Sequence, residues 1–111
     1  MQKRSLHFRL PEARLAPLTP GDISSTLLAH GSMTLEFYSP RGIDHQKPHT
    51  KDEIYILMKG HGWFRSGDDR YAVERGDALF VPAGVEHRFE DFSDDFETWV
   101  IFYGSEGGEA S

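Results

Sequence analysis

The stretch HTKDEIYILMKG, residues 49–60, is the part of this chain that decides its fold. Residues 53–58 are a nearly continuous run of strand-forming residues, which predicts a β-strand that is buried on both faces. Residues two apart on a strand point to the same side of a sheet, so His49, Lys51 and Glu53 are predicted to share one face. If that face lines the inside of a barrel, an imidazole and a carboxylate project into the same cavity.

A second stretch, GDALFVPAGVEH at residues 76–87, brings another imidazole to a similar position. Residues 78–81 predict a strand, the Pro-Ala-Gly of residues 82–84 predicts a turn, and His87 begins the next strand. Together with His49 and Glu53, His87 makes a ligand set that suits Zn, Fe(II), Mn or Ni and leaves coordination positions open. The spacing alone is a weak motif, and surface histidines in polar loops are the alternative interpretation.

Short strand signals separated by turns run through the rest of the chain. The further strand predictions are residues 24–29, 33–38, 63–65, 71–73, 87–89 and 98–103. A turn follows roughly every 8–12 residues, which is the spacing typical of antiparallel folds. Short strands at this spacing predict a single all-β domain, either a sandwich or a barrel.

We expect three parts along the chain. Residues 1–32 contain Pro11, Pro17 and Pro20, which exclude a long helix and a central strand. They are predicted to form an extended arm with short strands, one near residues 6–10, that packs on its own barrel or on a neighbouring subunit. Residues 33–103 make the barrel, and residues 104–111, with three Gly and two Glu, are predicted to be a disordered tail.

Composition excludes several classes of partner and site. The chain has 111 residues, with 18 acidic and 12 basic side chains and a net charge of −6 when histidines are neutral. That balance disfavours nucleic acid and anionic membranes as partners, because phosphate binding needs clustered Lys and Arg. The chain has no Cys, which excludes disulfides and thiolate ligands to a metal. No apolar run approaches the roughly 20 residues that span a bilayer, so we expect a cytoplasmic protein.

The two stretches together resemble the sequence motifs of the cupin superfamily. The first motif of that superfamily is matched at His49, Glu53 and Gly60, with six residues between the last two. The second motif is matched at every spacing by Gly76, Pro82, Gly84 and His87, and Asp91 stands where Asn is usual. The resemblance covers about residues 33–103. It implies a double-stranded β-helix, or jelly-roll barrel, and one divalent transition metal held near its mouth by His49, Glu53 and His87.

The first motif departs from the superfamily at one ligand position. Lys47 stands where a first histidine is usual, and a protonated lysine repels a cation. Pro48 cannot donate a hydrogen bond to a neighbouring strand, so a bulge or loop is predicted there. Such a loop brings either His45 or Gln46 toward the fourth ligand position. We favour His45 because imidazole is the better ligand, and Gln46 or water remain alternatives.

The resemblance implies a metalloprotein that binds a small organic ligand inside the barrel. Metal-dependent oxygenase or isomerase chemistry on a small acid, enol or sugar is one hypothesis, although Lys47 disfavours a site of three histidines and one glutamate. A non-enzymatic module that binds or senses a small molecule is the alternative, and a metal-free barrel is a third. The side chains of Ile54, Ile56 and Met58 are expected on the outer sheet face, where they predict a homodimer.

Overall fold

The structure, a computed structural model, describes residues 3–18, 20 and 22–110. Within these residues one short helix, α1 (Leu10–Leu15), precedes eight strands. The strands are β1 (Ser25–His30), β2 (Met33–Tyr38), β3 (Asp52–Lys59), β4 (His61–Ser66), β5 (Asp69–Glu74), β6 (Ala78–Val81), β7 (His87–Glu90) and β8 (Glu97–Tyr103). They form a five-stranded sheet in the order β1-β2-β8-β3-β6 and a three-stranded sheet in the order β5-β4-β7, with every pair antiparallel.

The two sheets enclose one hydrophobic core, which confirms the predicted double-stranded β-helix. The core side chains come from both sheets and are Tyr38, Tyr55, Leu57, Phe64, Val73, Leu79, Val81, Phe89, Phe96 and Val100. Along β3 the side chains of Glu53, Tyr55 and Leu57 are buried, whereas Ile54 and Ile56 on the other face are partly exposed. The predicted strand is confirmed, but only one of its faces is buried within this chain.

Most of the predicted strands lie where the sequence places them. Residues 33–38 coincide with β2, residues 63–65 and 71–73 lie in the hairpin of β4 and β5, and residues 98–103 lie in β8. The strand predicted at residues 24–29 is β1, which pairs with β2. The main sheet therefore begins before residue 33.

The arm differs from its prediction near residue 10. Instead of a strand at residues 6–10, the chain forms α1 from Leu10, with Pro11 in its first turn. Proline is tolerated there because the first N–H groups of a helix have no intrahelical partner. The helix is fastened to its own barrel, since Arg14 donates hydrogen bonds of 2.7 and 2.9 Å to the carboxylate of Glu97 in β8. Residues 1, 2, 19 and 21 of the predicted arm lie outside the described residues.

The predicted disordered tail is instead bonded to the segment before β3. The backbone N–H of Gly107 donates to the carbonyl of Thr50 over 2.6 Å, and that of Glu109 donates to Asp52 Oδ2 over 2.8 Å. The prediction of disorder is wrong for residues 104–110, because turns of small residues let this backbone approach β3. Ser111 lies outside the described residues.

Gly60 shows why the first motif ends in glycine. It is the single residue between β3 and β4 and has a φ of +86°, a conformation that L side chains rarely adopt. A Cβ at this position would lie 2.9 Å from Phe96 Cα. In the described part of the chain, no helix has the length and hydropathy needed to cross a membrane.

Candidate metal centre

His49 lies in a loop and not on the strand that carries Glu53. β3 begins at Asp52, so His49 reaches the barrel from the loop before it, and the side chain of Lys51 points elsewhere and donates to the carbonyl of Ser32 over 2.9 Å. The prediction that His49, Lys51 and Glu53 share one strand face is therefore wrong for Lys51. Pro48 gives the physical reason, because it cannot contribute an N–H to a strand pairing.

Hydrogen bonds between neighbouring segments join this loop to the second motif. The backbone N–H of Gly84 donates to the carbonyl of His49 over 2.7 Å, and that of Ala83 donates to Asp52 Oδ1 over 2.9 Å. The hydrogen bonds from the N–H groups of Glu109 and Ala83 hold the pKa of Asp52 below its usual range. Asp52 thus connects the tail, the first motif and the second motif at one point.

Three ligand atoms converge at the base of this loop. His87 Nε2 lies 3.0 Å from Glu53 Oε1, and His49 Nε2 lies 3.7 Å from Glu53 Oε2. The three residues can each offer one atom within 4.8 Å of the others. Ligand atoms that lie ~2.1 Å from a single ion are roughly 3.0–3.4 Å apart, so small adjustments bring this group to a metal's coordination shell. The structure places together the three residues that the motifs indicate.

The imidazole of His87 is held in one orientation. Its Nδ1 lies 2.8 Å from the carbonyl of Val85, a contact in which Nδ1 is the donor. In the neutral ring, Nε2 then carries a lone pair, which is directed at Glu53 and at the hydroxyl of Tyr55, 3.0 Å away. A second hydrogen bond that fixes the tautomer is typical of metal-binding histidines.

Glu53 supplies the test of whether a cation fits. Its side chain is 1% exposed, and neither carboxylate oxygen accepts a hydrogen bond from the residues that the structure describes. A buried carboxylate without a partner costs several kcal/mol, and the lone pair of a neutral His87 cannot satisfy it. A positive charge between the two imidazoles and the carboxylate removes this cost. The donor set therefore fits a divalent metal ion. Without a metal, a protonated imidazole supplies the positive charge beside Glu53.

The two imidazoles titrate differently. Burial lowers the pKa of His49, and this outweighs the attraction of the Glu53 carboxylate. Burial also acts to lower the pKa of His87, but the nearby Glu53 carboxylate and the Val85 carbonyl stabilise the protonated ring, outweigh burial and raise the pKa. His49 is thereby kept in the neutral form that a metal requires.

At the fourth ligand position the structure favours Gln46 and not His45. His45 is exposed, whereas Gln46 Oε1 lies 3.4 Å from His49 Nε2 and accepts a 2.5 Å hydrogen bond from the hydroxyl of Tyr55. Asp44 sets this orientation, because its carboxylate accepts from the Gln46 backbone N–H over 3.1 Å and from Gln46 Nε2 over 2.7 Å. The expectation for His45 fails because the loop turns its side chain outward.

Asp44 is a structural residue of the site that sequence reasoning missed. It is 5% exposed and accepts hydrogen bonds from the Tyr38 hydroxyl and, over 2.8 Å, from the backbone N–H of Phe89. It therefore fastens the loop to β2 and to β7. Tyr55 lies two residues after Glu53 on β3 and therefore faces the same cavity.

The ligand group opens into a cavity of about 180 Å³. Its lining residues are Ile23, Ser24, Glu36, Tyr38, Gln46, His49, Glu53, Val100 and Phe102. Val100 and Phe102, the apolar lining residues from β8, lie beside Glu36 and Glu53 of the neighbouring strands, so polar and apolar groups are mixed on one wall. At ~30 Å³ for each molecule of liquid water, this volume corresponds to about six waters, which is the size of a small organic molecule.

A search of protein families matches the chain to the cupin domain over residues 34–102. The matched range contains both halves of the site. The solved structure of a cupin-2 domain protein from Shewanella frigidimarina superposes with a TM-score of 0.65 at 17% identity, covering 85% of this chain and 90% of that one. At this identity the likeness concerns the fold.

Two curated relatives match parts of the sequence. An uncharacterized protein of Streptomyces coelicolor is 41% identical over 59 residues, which are 53% of this chain and 56% of that protein. Acireductone dioxygenase of Schizosaccharomyces pombe is 42% identical over 53 residues, which are 43% of this chain and 30% of that enzyme. The chain thus spans about half the length of the first relative and less than a third of the second.

Proposed function

This chain belongs to the cupin domain family, and we propose that it is a member that holds one divalent transition metal on His49, Glu53 and His87. The observation that carries the proposal is the Glu53 carboxylate, which is buried with two imidazole nitrogens 3.0 and 3.7 Å away and accepts no hydrogen bond from the described residues. Two histidines and one carboxylate leave positions open for a ligand.

The ligand that suits the cavity is a small acid, enol or sugar. Glu36 accepts a 2.9 Å hydrogen bond from the Thr34 hydroxyl and presents a second carboxylate to the cavity, where it can accept from a ligand hydroxyl. Val100 lies directly beside Glu36 in the register of β2 and β8, and Phe102 lies beside Glu53 in the register of β3 and β8. A small molecule that combines hydroxyl groups with apolar carbon is complementary to this mixed lining.

The favoured reaction is an oxidation of such a ligand by dioxygen. The similarity to an acireductone dioxygenase supports this choice, although it covers only part of either protein. A bound metal supplies Lewis acidity and open coordination positions for the reaction. The chain itself keeps His87 in one tautomer through Val85, and Phe102 gives the cavity an apolar surface beside His49.

Metal content tests the site. The purified chain and its variants are loaded with Zn²⁺, Fe²⁺, Mn²⁺ or Ni²⁺ in turn, desalted and analysed for bound metal. We expect about one ion per chain for the wild type and a sharp loss for His87→Ala. His45→Ala is the matched control, because it removes an exposed imidazole from the same loop, and it should retain the wild-type content. Full occupancy in His87→Ala would contradict the site.

Turnover separates an enzyme from a binding module. The iron-loaded chain is mixed with small enediols under air, and dioxygen consumption is followed with an electrode. We expect consumption that requires both the metal and His87. Saturable binding of an enediol without consumption of dioxygen would instead identify a small-molecule binding or sensing module.

We also propose a homodimer that forms through the outer face of the five-stranded sheet. The strand register aligns one apolar row across this face, which consists of Leu28, Leu35, Ile101, Ile54 and Phe80. Phe80 at its end is 55% exposed. A second copy that packs on this row would bury it. Light scattering should give a dimer mass that Ile54→Arg reduces to a monomer mass, and a monomeric wild type would exclude this interface.

A further inference from the structure

The outer face of the three-stranded sheet carries three arginines side by side. In the register of β5, β4 and β7, Arg65 lies directly opposite Arg70 on one side and opposite Arg88 on the other. Neighbouring strands are about 4.8 Å apart, and like charges directly opposite one another destabilise a sheet. Such a row needs negative charge close by.

Glu90 supplies part of that charge. Its carboxylate accepts from Arg70 Nε over 2.7 Å, from Arg88 Nε over 3.1 Å and from Arg65 Nε over 3.2 Å. These hydrogen bonds, with that of Arg70 the strongest, lower the pKa of Glu90 to about 2. Arg70 also contacts Asp91 Oδ2 over 3.0 Å. One carboxylate thus uses the Nε groups of all three arginines.

The terminal nitrogens of two arginines are left over. In the part of the chain that the structure describes, the Nη groups of Arg65 and Arg88 donate to no acceptor, and these side chains are 40% and 51% exposed. Three guanidinium groups against the carboxylates of Glu90 and Asp91 leave one positive charge in surplus. This local surplus occurs in a chain whose net charge is −6.

The arginines border a cleft of about 510 Å³. Its other wall is the loop that contains Gly42 and Ile43, and Asp44 lies at its base. The Asp44 carboxylate is turned inward, where it accepts from the N–H of Phe89 and from Gln46, so it does not neutralise the arginines directly. The cleft and the cavity beside the metal ligands share no lining residue.

We propose that this arginine cleft binds a phosphate group, either as free phosphate or as the monoester of a small molecule. The planar end of a guanidinium donates two parallel hydrogen bonds to a phosphate, and Arg65 and Arg88 present two such ends next to each other. The negative charge of a phosphate group also offsets the one positive charge that Glu90 and Asp91 leave in surplus. The cleft is larger than a phosphate ion, and Ile43, which is 66% exposed, offers an apolar surface for the organic part of an ester.

Calorimetric titration with inorganic phosphate at constant ionic strength tests the proposal. We expect saturable binding to the wild type and a loss of affinity of about tenfold or more in Arg65→Gln and in Arg88→Gln. Arg75→Gln removes the same charge from an exposed turn outside the cleft and is the matched control, which should bind as the wild type does. Arg65→Lys keeps the charge but loses the planar end, and it should bind more weakly than the wild type.

Glu90→Gln gives a result in the opposite direction. It removes the carboxylate that competes for the arginines, so phosphate should bind more tightly and should raise the Tm of this variant more than that of the wild type. Tighter binding of phenyl phosphate than of inorganic phosphate would assign the site to an ester, and equal binding would assign it to the free ion. Absence of saturable binding in both the wild type and Glu90→Gln, or equal losses in Arg75→Gln and Arg65→Gln, would overturn the proposal.

Discussion

The two histidines of the proposed metal centre are held by very different structures. His87 begins β7, its side chain is 1% exposed, and its Nδ1 is fixed by the carbonyl of Val85. His49 lies in the loop before β3, its side chain is 27% exposed, and it is restrained through its backbone carbonyl by the N–H of Gly84. One ligand belongs to the sheet, and the other belongs to a loop that is tied to the sheet.

This difference divides the site into a sheet half, which consists of Glu53 and His87, and a loop half, which is the segment from Asp44 to Lys51 that carries His49. The buried His87 and Glu53 lie on neighbouring parts of a rigid core and cannot move without disturbing it. His49 can shift by small amounts as a metal or ligand enters, because its loop depends on a few hydrogen bonds. We therefore expect the sheet half to determine whether a metal binds and the loop half to adjust how tightly it binds.

The largest effect should come from the sheet half. His87→Ala is expected to weaken metal affinity by about 100-fold or more, because it removes a preorganised ligand beside the buried Glu53 carboxylate. His49→Ala should cost less, about tenfold, because water can enter at the more exposed position. Competition between each variant and a fluorescent chelator for Zn²⁺ measures both losses. An equal loss in the two variants would remove the distinction between the halves.

Loss of Asp44 should release the loop half and lower stability. Asp44→Ala leaves the buried donors of Tyr38 and Phe89 without an acceptor, which should reduce the free energy of unfolding by about 2 kcal/mol or more. Asp44→Asn retains one carbonyl oxygen and should lose less. Urea unfolding followed by fluorescence gives both values. A change below about 0.5 kcal/mol in Asp44→Ala, which is typical of a surface substitution, would contradict this role.

Removal of the tail should have a smaller effect that is confined to the loop half. Deletion of residues 105–111 removes the hydrogen bonds from Gly107 to Thr50 and from Glu109 to Asp52. Metal affinity should fall by about fivefold, the equivalent of one hydrogen bond, since Ala83 still donates to Asp52. Deletion of residues 110 and 111 alone is the control and should leave affinity unchanged. The same chelator competition measures it, and a loss as large as that of His87→Ala would place the tail in the ligand set.

Restoring the motif residue at position 47 should have the smallest effect. Lys47 is exposed in a loop that turns Gln46 toward His49, so a histidine introduced there points to solvent. We expect Lys47→His to leave Zn²⁺ affinity within about twofold of the wild type, well below the roughly tenfold effect of an added ligand. A gain of tenfold or more would show that the loop can rearrange to bring position 47 to the metal. Gln46→Ala would then test whether the new histidine has displaced Gln46.

Sequence reasoning succeeded where the pattern is local. Strand periodicity and the Gly and Pro positions of residues 76–87 predicted β6, the turn and His87, and the run at residues 53–58 predicted β3. Gly60, which matches the first motif, has the positive φ of a tight turn. These features depend on neighbours within a few residues, which the sequence displays directly.

Sequence reasoning was wrong where a contact between distant residues decides the conformation. Gln46, and not His45, faces the ligands because Asp44 binds the backbone of Phe89, 45 residues away in sequence. The tail is held by Thr50 and Asp52, which no local signal indicates. The helix at residues 10–15 was missed because its stabilising partner, Glu97, lies at the other end of the chain.

The sequence by itself determined an all-β barrel of the cupin family and three residues that can hold a metal, because period-two alternation, turn residues and motif spacing are properties of short segments. Only the tertiary structure decided which side chain stands beside those three, that the tail supports the loop, and that Arg65, Arg70 and Arg88 form one row. Each of these depends on hydrogen bonds or strand register between segments far apart in the chain, and such pairings are fixed only when the whole barrel closes.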